Sequence, residues 1–248
     1  MSTIEQTDFR ERPVGEVVAE DYRRAGVFKR FGIDFCCGGG RTVQEACERK
    51  GVAYEELAQG LLASTASRSG SAQPDPRGWK LDFLADYIVN VHHGYVRETL
   101  PVLLQFSQKV ARVHGERRPE LVAIARLVEE IAGELEQHMR KEEEILFPYI
   151  RALVATGSDG GSVVLPGEDT ADGAMRLMEE EHDHAGELMR QIRELSGDFV
   201  PPEGACTTYR ASYVKLEEFE EDLHRHVHLE NNLLFPGTEK LERAVTSA

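Results

Sequence analysis

His226-Val227-His228-Leu229-Glu230-Asn231-Asn232-Leu233-Leu234-Phe235-Pro236 has an earlier counterpart in His138-Met139-Arg140-Lys141-Glu142-Glu143-Glu144-Ile145-Leu146-Phe147-Pro148. Both read His-x-x-x-Glu-x-x-x-Leu-Phe-Pro. On a helix, residues four apart share a face, with Cβ atoms about 5–6 Å apart. Each stretch can therefore aim one imidazole and one carboxylate at the same point. A metal ion at that point accounts for the pairing, and two such stretches suggest two ions.

Outward from these stretches, the chain carries four long helical patterns, over about 80–113, 119–156, 170–196 and 206–243. Pro101 marks a kink in the first. No convincing strand is present, which predicts an all-α, antiparallel four-helix bundle. His93 to His138 spans 45 residues and His182 to His226 spans 44, so two similar helix hairpins each offer one lone His and one His-x-x-x-Glu.

The apolar seam of each helix tests whether these residues face inward. On the second helix the seam is Leu127, Ile131, Leu135, Ile145 and Tyr149, and His138 and Glu142 fill its two missing steps. On the fourth it is Leu216, Phe219, Leu223, Leu233 and Leu234, and His226 and Glu230 fill the gap. His182 shares a stripe with Met178, Ala185, Met189 and Ile192. On the first helix His93 aligns with Val89, Val96, Leu100 and Leu103; His92, the alternative, aligns with the less apolar Ile88, Tyr95 and Thr99. Spacing alone leaves both open.

Burying two carboxylates without partners costs several kcal/mol each. A cation removes that cost. Four imidazoles and two carboxylates suit a dinuclear site with two His per metal and bridging Glu. The imidazole-rich set leans towards iron, and ligand type alone does not separate iron from zinc. One inward His is often only a core histidine, and an i,i+4 His–Glu pair only a surface ion pair; six such residues converging across four helices are neither. His92, His114, His184, His224 and His228 show no coherent inward pattern and are read as solvated, with His184 and His228 also able to support ligands from outside. Glu134 and Glu181 lie near the seam, either as proton or iron relays or as ordinary surface carboxylates.

Residues 1–64 predict a small helical domain, and 65–77 a Ser-, Gly- and Pro-rich linker to the bundle at 78–246. Within the first region, helices are expected from Pro13, over 22–31, over 43–49 behind a Thr42 cap, and over 54–62, with a glycine turn at Cys36-Cys37-Gly38-Gly39-Gly40 between them. The 44 acidic against 29 basic residues, a net charge of −15, argue against nucleic acid and anionic membranes as partners. No apolar run is long enough to span a membrane, and the first residues lack a signal pattern, so a cytoplasmic protein is expected. The four cysteines, Cys36, Cys37, Cys47 and Cys206, form no disulfide framework and fit a reducing compartment. Cys36 and Cys37 read either as a thiolate pair able to take iron, react with nitric oxide or exchange disulfides, or as small buried residues. Cys47 and Cys206 read as structural.

These motifs together resemble a known family. Residues 78–246 resemble the hemerythrin-like fold, and the whole chain resembles the di-iron iron–sulfur cluster repair proteins, which join a short N-terminal domain to such a bundle. The match rests on Asp34-Phe-Cys-Cys-Gly-Gly39, His138-x-x-x-Glu142-Glu-x-Ile-Leu-Phe-Pro148, Glu181-His-Asp-x-Ala-Gly-Glu187, Pro201-Pro-x-x-Ala-Cys-Thr207 and His228-Leu-Glu-Asn-Asn-Leu-Leu-Phe-Pro236. The resemblance implies two non-haem iron ions, oxo- and carboxylate-bridged, on His93, His138, Glu142, His182, His226 and Glu230. It implies repair of clusters damaged by oxidative or nitrosative stress, with damaged iron–sulfur proteins or a scaffold, nitric oxide or oxygen, and a second copy of the chain as partners. It also raises the function of Cys36 and Cys37. The chain departs from oxygen-carrying hemerythrins, which place a second His where Gly186 stands and an Asp where Asn231 stands. One ligand fewer implies a more open centre, suited to reaction or iron release.

Overall fold

The computed structural model describes residues 8–66, 75–156 and 170–246. All regular structure among them is helical. They divide into two compact units, Met1–Lys80 with Val227–Pro236, and Leu81–His226 with Gly237–Ala248.

In the first unit, α1 (Val14–Glu20), a 3₁₀ turn (Tyr22–Arg24), α2 (Ala25–Arg30), α3 (Val43–Lys50) and α4 (Tyr54–Ala66) follow in order. Thr42 caps α3 as expected, accepting from the Glu45 N–H at 3.2 Å while the Glu45 carboxylate accepts from the Thr42 N–H at 2.9 Å. Gly51 ends α3 at φ 66°, a left-handed conformation that glycine adopts at little cost. Val14, Val17, Phe28, Val43 and Leu57 are buried and form the core. Helix α4 runs past the expected end at Leu62, because Ala63–Ala66 offers no breaker. Of the expected linker, residues 67–74 lie outside the described residues, and Pro76–Gly78 forms a 3₁₀ turn capped by Asp75.

The second unit begins with α5 (Leu81–Tyr87), a π-turn (Ile88–His93) and α6 (Gly94–His114), with Pro101 inside α6. Then come α7 (Glu120–Lys141), a π-turn (Glu142–Leu146) and α8 (Phe147–Thr156). α9 (Ala171–Ser196) starts at a Thr170 cap and ends at Gly197, φ 62°. The last helix is α10 (Thr207–Leu229), a π-turn (Glu230–Leu234) and α11 (Phe235–Thr246); its residues Val227–Pro236 belong to the first unit. The longer connection expected at 157–167 lies outside the described residues. α6 packs on α7 and α7 on α9, and Val96, Leu103, Ile131, Leu135 and Met189 on these helices are buried, as is Leu216 on α10. This is the expected helical, hemerythrin-like bundle behind a small helical N-terminal region.

One buried ion pair fastens the end of α9. Glu220 is 2% exposed and accepts from Arg193 Nε at 2.8 Å and Nη2 at 2.5 Å. Arg193 also lies over the Phe199 ring and bonds Asp198. Asp198 and Phe199 have φ of 58° and 56°, a conformation that costs non-glycine residues about 1–2 kcal/mol each, so this arginine anchors a strained turn. Glu220→Gln leaves Arg193 half-satisfied and should destabilise the protein by about 2 kcal/mol. Thermal unfolding monitored by circular dichroism should then fall by about 4–8 °C, with bound metal per chain unchanged.

Candidate metal centre

The three π-turns carry three of the six expected ligands: His93 closes the first, Glu142 opens the second and Glu230 opens the third. A π-turn adds one residue to a helical turn and advances every later side chain around the axis. This corrects the expected seams. Ile145 is exposed and Leu146 buried; Leu233 is only half-buried and Leu234 is buried. Leu146 and Phe147 continue the core where Ile145 was expected, while Tyr149 and Leu234 are buried as expected and Phe235 joins them.

The expected ligands are all buried. His93, Glu142, His226 and Glu230 are 0% exposed, His182 is 1% and His138 is 2%. His93 Nε2 lies 3.2 Å from His226 Nε2, and His138 Nε2 lies 3.0 Å from His182 Nε2. Between these pairs, Glu142 Oε2 stands 3.2 Å from His93 Nε2 and Oε1 stands 3.3 Å from His138 Nε2. One carboxylate thus addresses one imidazole of each pair. Glu230, one turn beyond His226 on the same continuous helix, completes two overlapping sets. These are His93, Glu142, His226 and Glu230, and His138, Glu142, His182 and Glu230, each with its ligand atoms within 4.8 Å of one another.

The donor chemistry fits a cation. His93 Nδ1 is 2.6 Å from Glu143 Oε1, and His138 Nδ1 is 2.8 Å from Glu181 Oε2. An ionised carboxylate only accepts, so each Nδ1 carries the proton and each Nε2 is the acceptor nitrogen, directed inward towards the Nε2 of His226 or His182. Burial pushes the Glu143 carboxyl up, but bonds from His93 and Arg97 outweigh it and the net shift is downward. The bond from His138 lowers Glu181 to about 2, against burial and with help from Lys141. Both groups are therefore ionised at neutral pH. Inward lone pairs and buried carboxylates repel one another unless a cation stands among them. Two imidazole nitrogens on neighbouring positions of one cation, each at about 2.1 Å, lie about 3 Å apart, matching both observed pairs.

The histidine readings are settled unevenly. His93, not His92, turns Nε2 into the cluster. His92 is nonetheless buried, not solvated: its ring stacks on His226 at 5.7 Å and 7°, and Nδ1 is 2.9 Å from Asp222 Oδ1. Both residues lie in the first π-turn and both are buried. His228 is also buried rather than solvated, packed against Tyr22 and Phe35. His184 is exposed as expected, within 3.2 Å of Glu134 Oε1. Glu134 therefore pairs at the surface, apart from the cluster, whereas Glu181 bonds a candidate ligand directly. Cys206 is exposed and faces His114 at 3.4 Å, while Cys47 is buried.

Three positioning groups escaped the sequence reading: Glu143, Asp222 and Asn232. Asp222 stands four residues before His226, a helical spacing that could have flagged it. Glu143 is hidden in an ordinary-looking acidic run. Asn232 is described by its contacts with the cysteine loop. There its Nδ2 donates to Cys36 O at 3.0 Å. Cys36 is buried and Cys37 half-buried, with Sγ atoms 3.9 Å apart.

No described helix is long and apolar enough to cross a membrane. Residues 84–237 match the hemerythrin HHE cation binding domain, and residues 10–65 match ScdA_N, a domain of unknown function (DUF542). The chain is 39% identical over 231 residues to the iron-sulfur cluster repair protein YtfE of Pectobacterium atrosepticum, covering 92% of this chain and 96% of that one. It is 37% identical over 229 residues to the protein of the same name from Yersinia pestis, covering 92% and 97%. With both domains matched in order and alignment over nearly the full length, the chain belongs to the family of iron–sulfur cluster repair proteins that place a ScdA_N domain before a hemerythrin HHE bundle.

Proposed function

We propose that the bundle holds two non-haem iron ions and that the protein supplies this iron to iron–sulfur clusters damaged by oxidative or nitrosative stress. His93 and His226 hold one ion, His138 and His182 the other, and Glu142 and Glu230 serve both. The observation that carries this reading is Glu142, whose two oxygens each face an imidazole Nε2 from a different one of the two histidine pairs. The relatives' name, iron-sulfur cluster repair protein, supports the destination of the iron.

When bound, iron in this set supplies a Lewis acid and a one-electron redox couple. The chain's own residues do the rest. Glu143 and Glu181 accept the Nδ1 protons of His93 and His138 and so fix which nitrogen faces inward. Arg97 and Lys141 share those carboxylates from the outer side, which weakens their pull on the imidazoles and keeps the ligands moderate donors. Apolar side chains around the cluster, among them Phe147 stacked on His93, exclude water. A ligand set one residue short of the oxygen-carrying pattern, with Gly186 and Asn231 at the differing positions, favours release over permanent storage. Damaged clusters or a scaffold that assembles them are the acceptors, in a reducing, cytoplasmic setting that suits four free cysteines.

Purified under anaerobic conditions, the protein should contain two irons per chain and show an oxo-to-iron absorption band after oxidation; one zinc, or no metal, removes the basis of the reading. Iron transfer to an apo cluster protein should be lost in Glu142→Leu, measured as recovered cluster absorbance. Glu181→Gln should release iron to a chelator about 10–100-fold faster, the scale expected when a ligand loses its outer carboxylate, while Glu134→Gln should match the parent rate. The more open ligand set also favours a second reading, reduction of nitric oxide to nitrous oxide at the same centre. Reduced protein given excess nitric oxide and a continuing supply of an electron donor should then evolve nitrous oxide over many turnovers, and a yield limited to one event per chain under those conditions excludes it.

A further inference from the structure

The cysteine loop lies outside the six-ligand set, and the bundle chemistry makes no use of it. Consecutive residues on an extended strand point to opposite sides. Here Asp34 prevents that. Its Oδ1 accepts the N–H groups of both Cys36, at 2.9 Å, and Cys37, at 3.1 Å, a side-chain turn that folds the two residues round one oxygen. The two Sγ atoms consequently lie 3.9 Å apart, and Cys36 Sγ lies 3.2 Å from Asp34 Oδ1. All three groups offer ligand atoms within 4.8 Å of one another.

That spacing is a hydrogen-bond distance between two reduced thiols, and it is also one that a shared cation would keep. A disulfide needs sulfurs about 2.05 Å apart. Two thiolates bound to one tetrahedral cation at about 2.3 Å stand about 3.8 Å apart. The loop therefore already has the second spacing.

It is also held from outside. Asn232 donates to Cys36 O at 3.0 Å and reaches Phe35 O at 3.4 Å, and its amide is 3.2 Å from His228 Nδ1. The carboxamide oxygen sits so close to Gly15 and Gly39 that a Cβ at either position would run into it. At Gly38 a Cβ would meet Asp34 O at 3.0 Å. Gly39 thus follows the cysteines because there is no room for a side chain, Gly38 is tight, and Gly40 has open space.

We propose that Asp34, Cys36 and Cys37 form a separate docking site for a thiophilic cation, ferrous iron in transit being the natural occupant, with Asn232 as the residue that positions its loop. Binding forms two sulfur–metal bonds and releases the two thiol protons to solvent, with no change of oxidation state. Soft thiolates favour zinc, ferrous iron and cuprous copper over magnesium or calcium. Three donors leave a four-coordinate cation one position for water or an acceptor's thiolate, as expected of a transit site and not of a closed structural one. Without metal, the neighbouring Cys37, burial and Asp34 all push the Cys36 thiol upward, which disfavours its thiolate. This inference deepens the iron-handling reading and takes from it only the identity of the natural cation.

The test uses the reduced, anaerobic, full-length protein with its bundle already loaded with iron, titrated with cobalt(II). One equivalent of cobalt should produce a sulfur-to-cobalt charge-transfer band. The band should vanish in the Cys36→Ser, Cys37→Ser double variant, whose fold is checked by circular dichroism and by retained bundle iron. Asn232→Ala should keep the band but weaken cobalt binding about tenfold or more. Glu142→Leu, which empties the bundle, should leave the band intact, so loss of the bundle reading does not remove this one. Absence of the band in iron-loaded protein, or its persistence in the double serine variant, overturns the site. Unchanged affinity in Asn232→Ala overturns the positioning role.

Discussion

Two carboxylates and four imidazoles, each no more than 2% exposed, meet inside an apolar bundle, and the charge this concentrates is the constraint on which the rest of the molecule depends. Left alone, these groups would repel one another or be driven to neutrality. The structure instead turns every measured choice towards a cation. Outer carboxylates take the Nδ1 protons, imidazole nitrogens pair at 3.0 and 3.2 Å, and Glu142 presents one oxygen to each pair. A helix bundle is a suitable frame because its backbone is satisfied internally, leaving side chains alone to build the site.

The π-turns are the mechanical counterpart of that electrostatics. In a regular helix, His-x-x-x-Glu aligns two ligands but commits the following turns to the same stripe. The additional residue at Glu142–Leu146 and Glu230–Leu234 lets each carboxylate sit in the cluster while Leu146 and Leu234 restart the apolar core behind it. At Ile88–His93 the same device buries both His92 and His93. One becomes a ligand candidate and the other braces His226 by stacking and by its bond to Asp222. Such turns recur at functional sites because they trade ideal hydrogen bonding for side-chain placement.

The stretch from His226 to Pro236 serves two chemistries. Glu230 belongs to the hard, imidazole-and-carboxylate set. Two residues later, Asn232 holds the carbonyl of Cys36 and requires glycine at positions 15 and 39. His228, between them in the same helical stretch, packs against Phe35 and Tyr22. Two positions of one helix therefore separate a member of the buried cluster from the residue that holds the cysteine loop.

Much of this was legible in the sequence by itself. The repeated His-x-x-x-Glu, the apolar stripes and the spacing of the lone histidines determined the helices, the bundle and all six candidate ligands, because helical periodicity is a local property that side-chain order records directly. Thr42 and Glu45 likewise announced their capping box. The tertiary structure alone turned His93 rather than His92 towards the cluster, buried His92 and His228 where periodicity had them solvated, moved the seam from Ile145 to Leu146, and set Glu134 apart from Glu181. A π-turn has no distinctive composition, since what stabilises it is the packing and charge it serves. Asn232 is equally silent in the sequence, because its partners are 196 and 197 residues away, and only folding brings a carboxamide against a loop whose glycines leave it room.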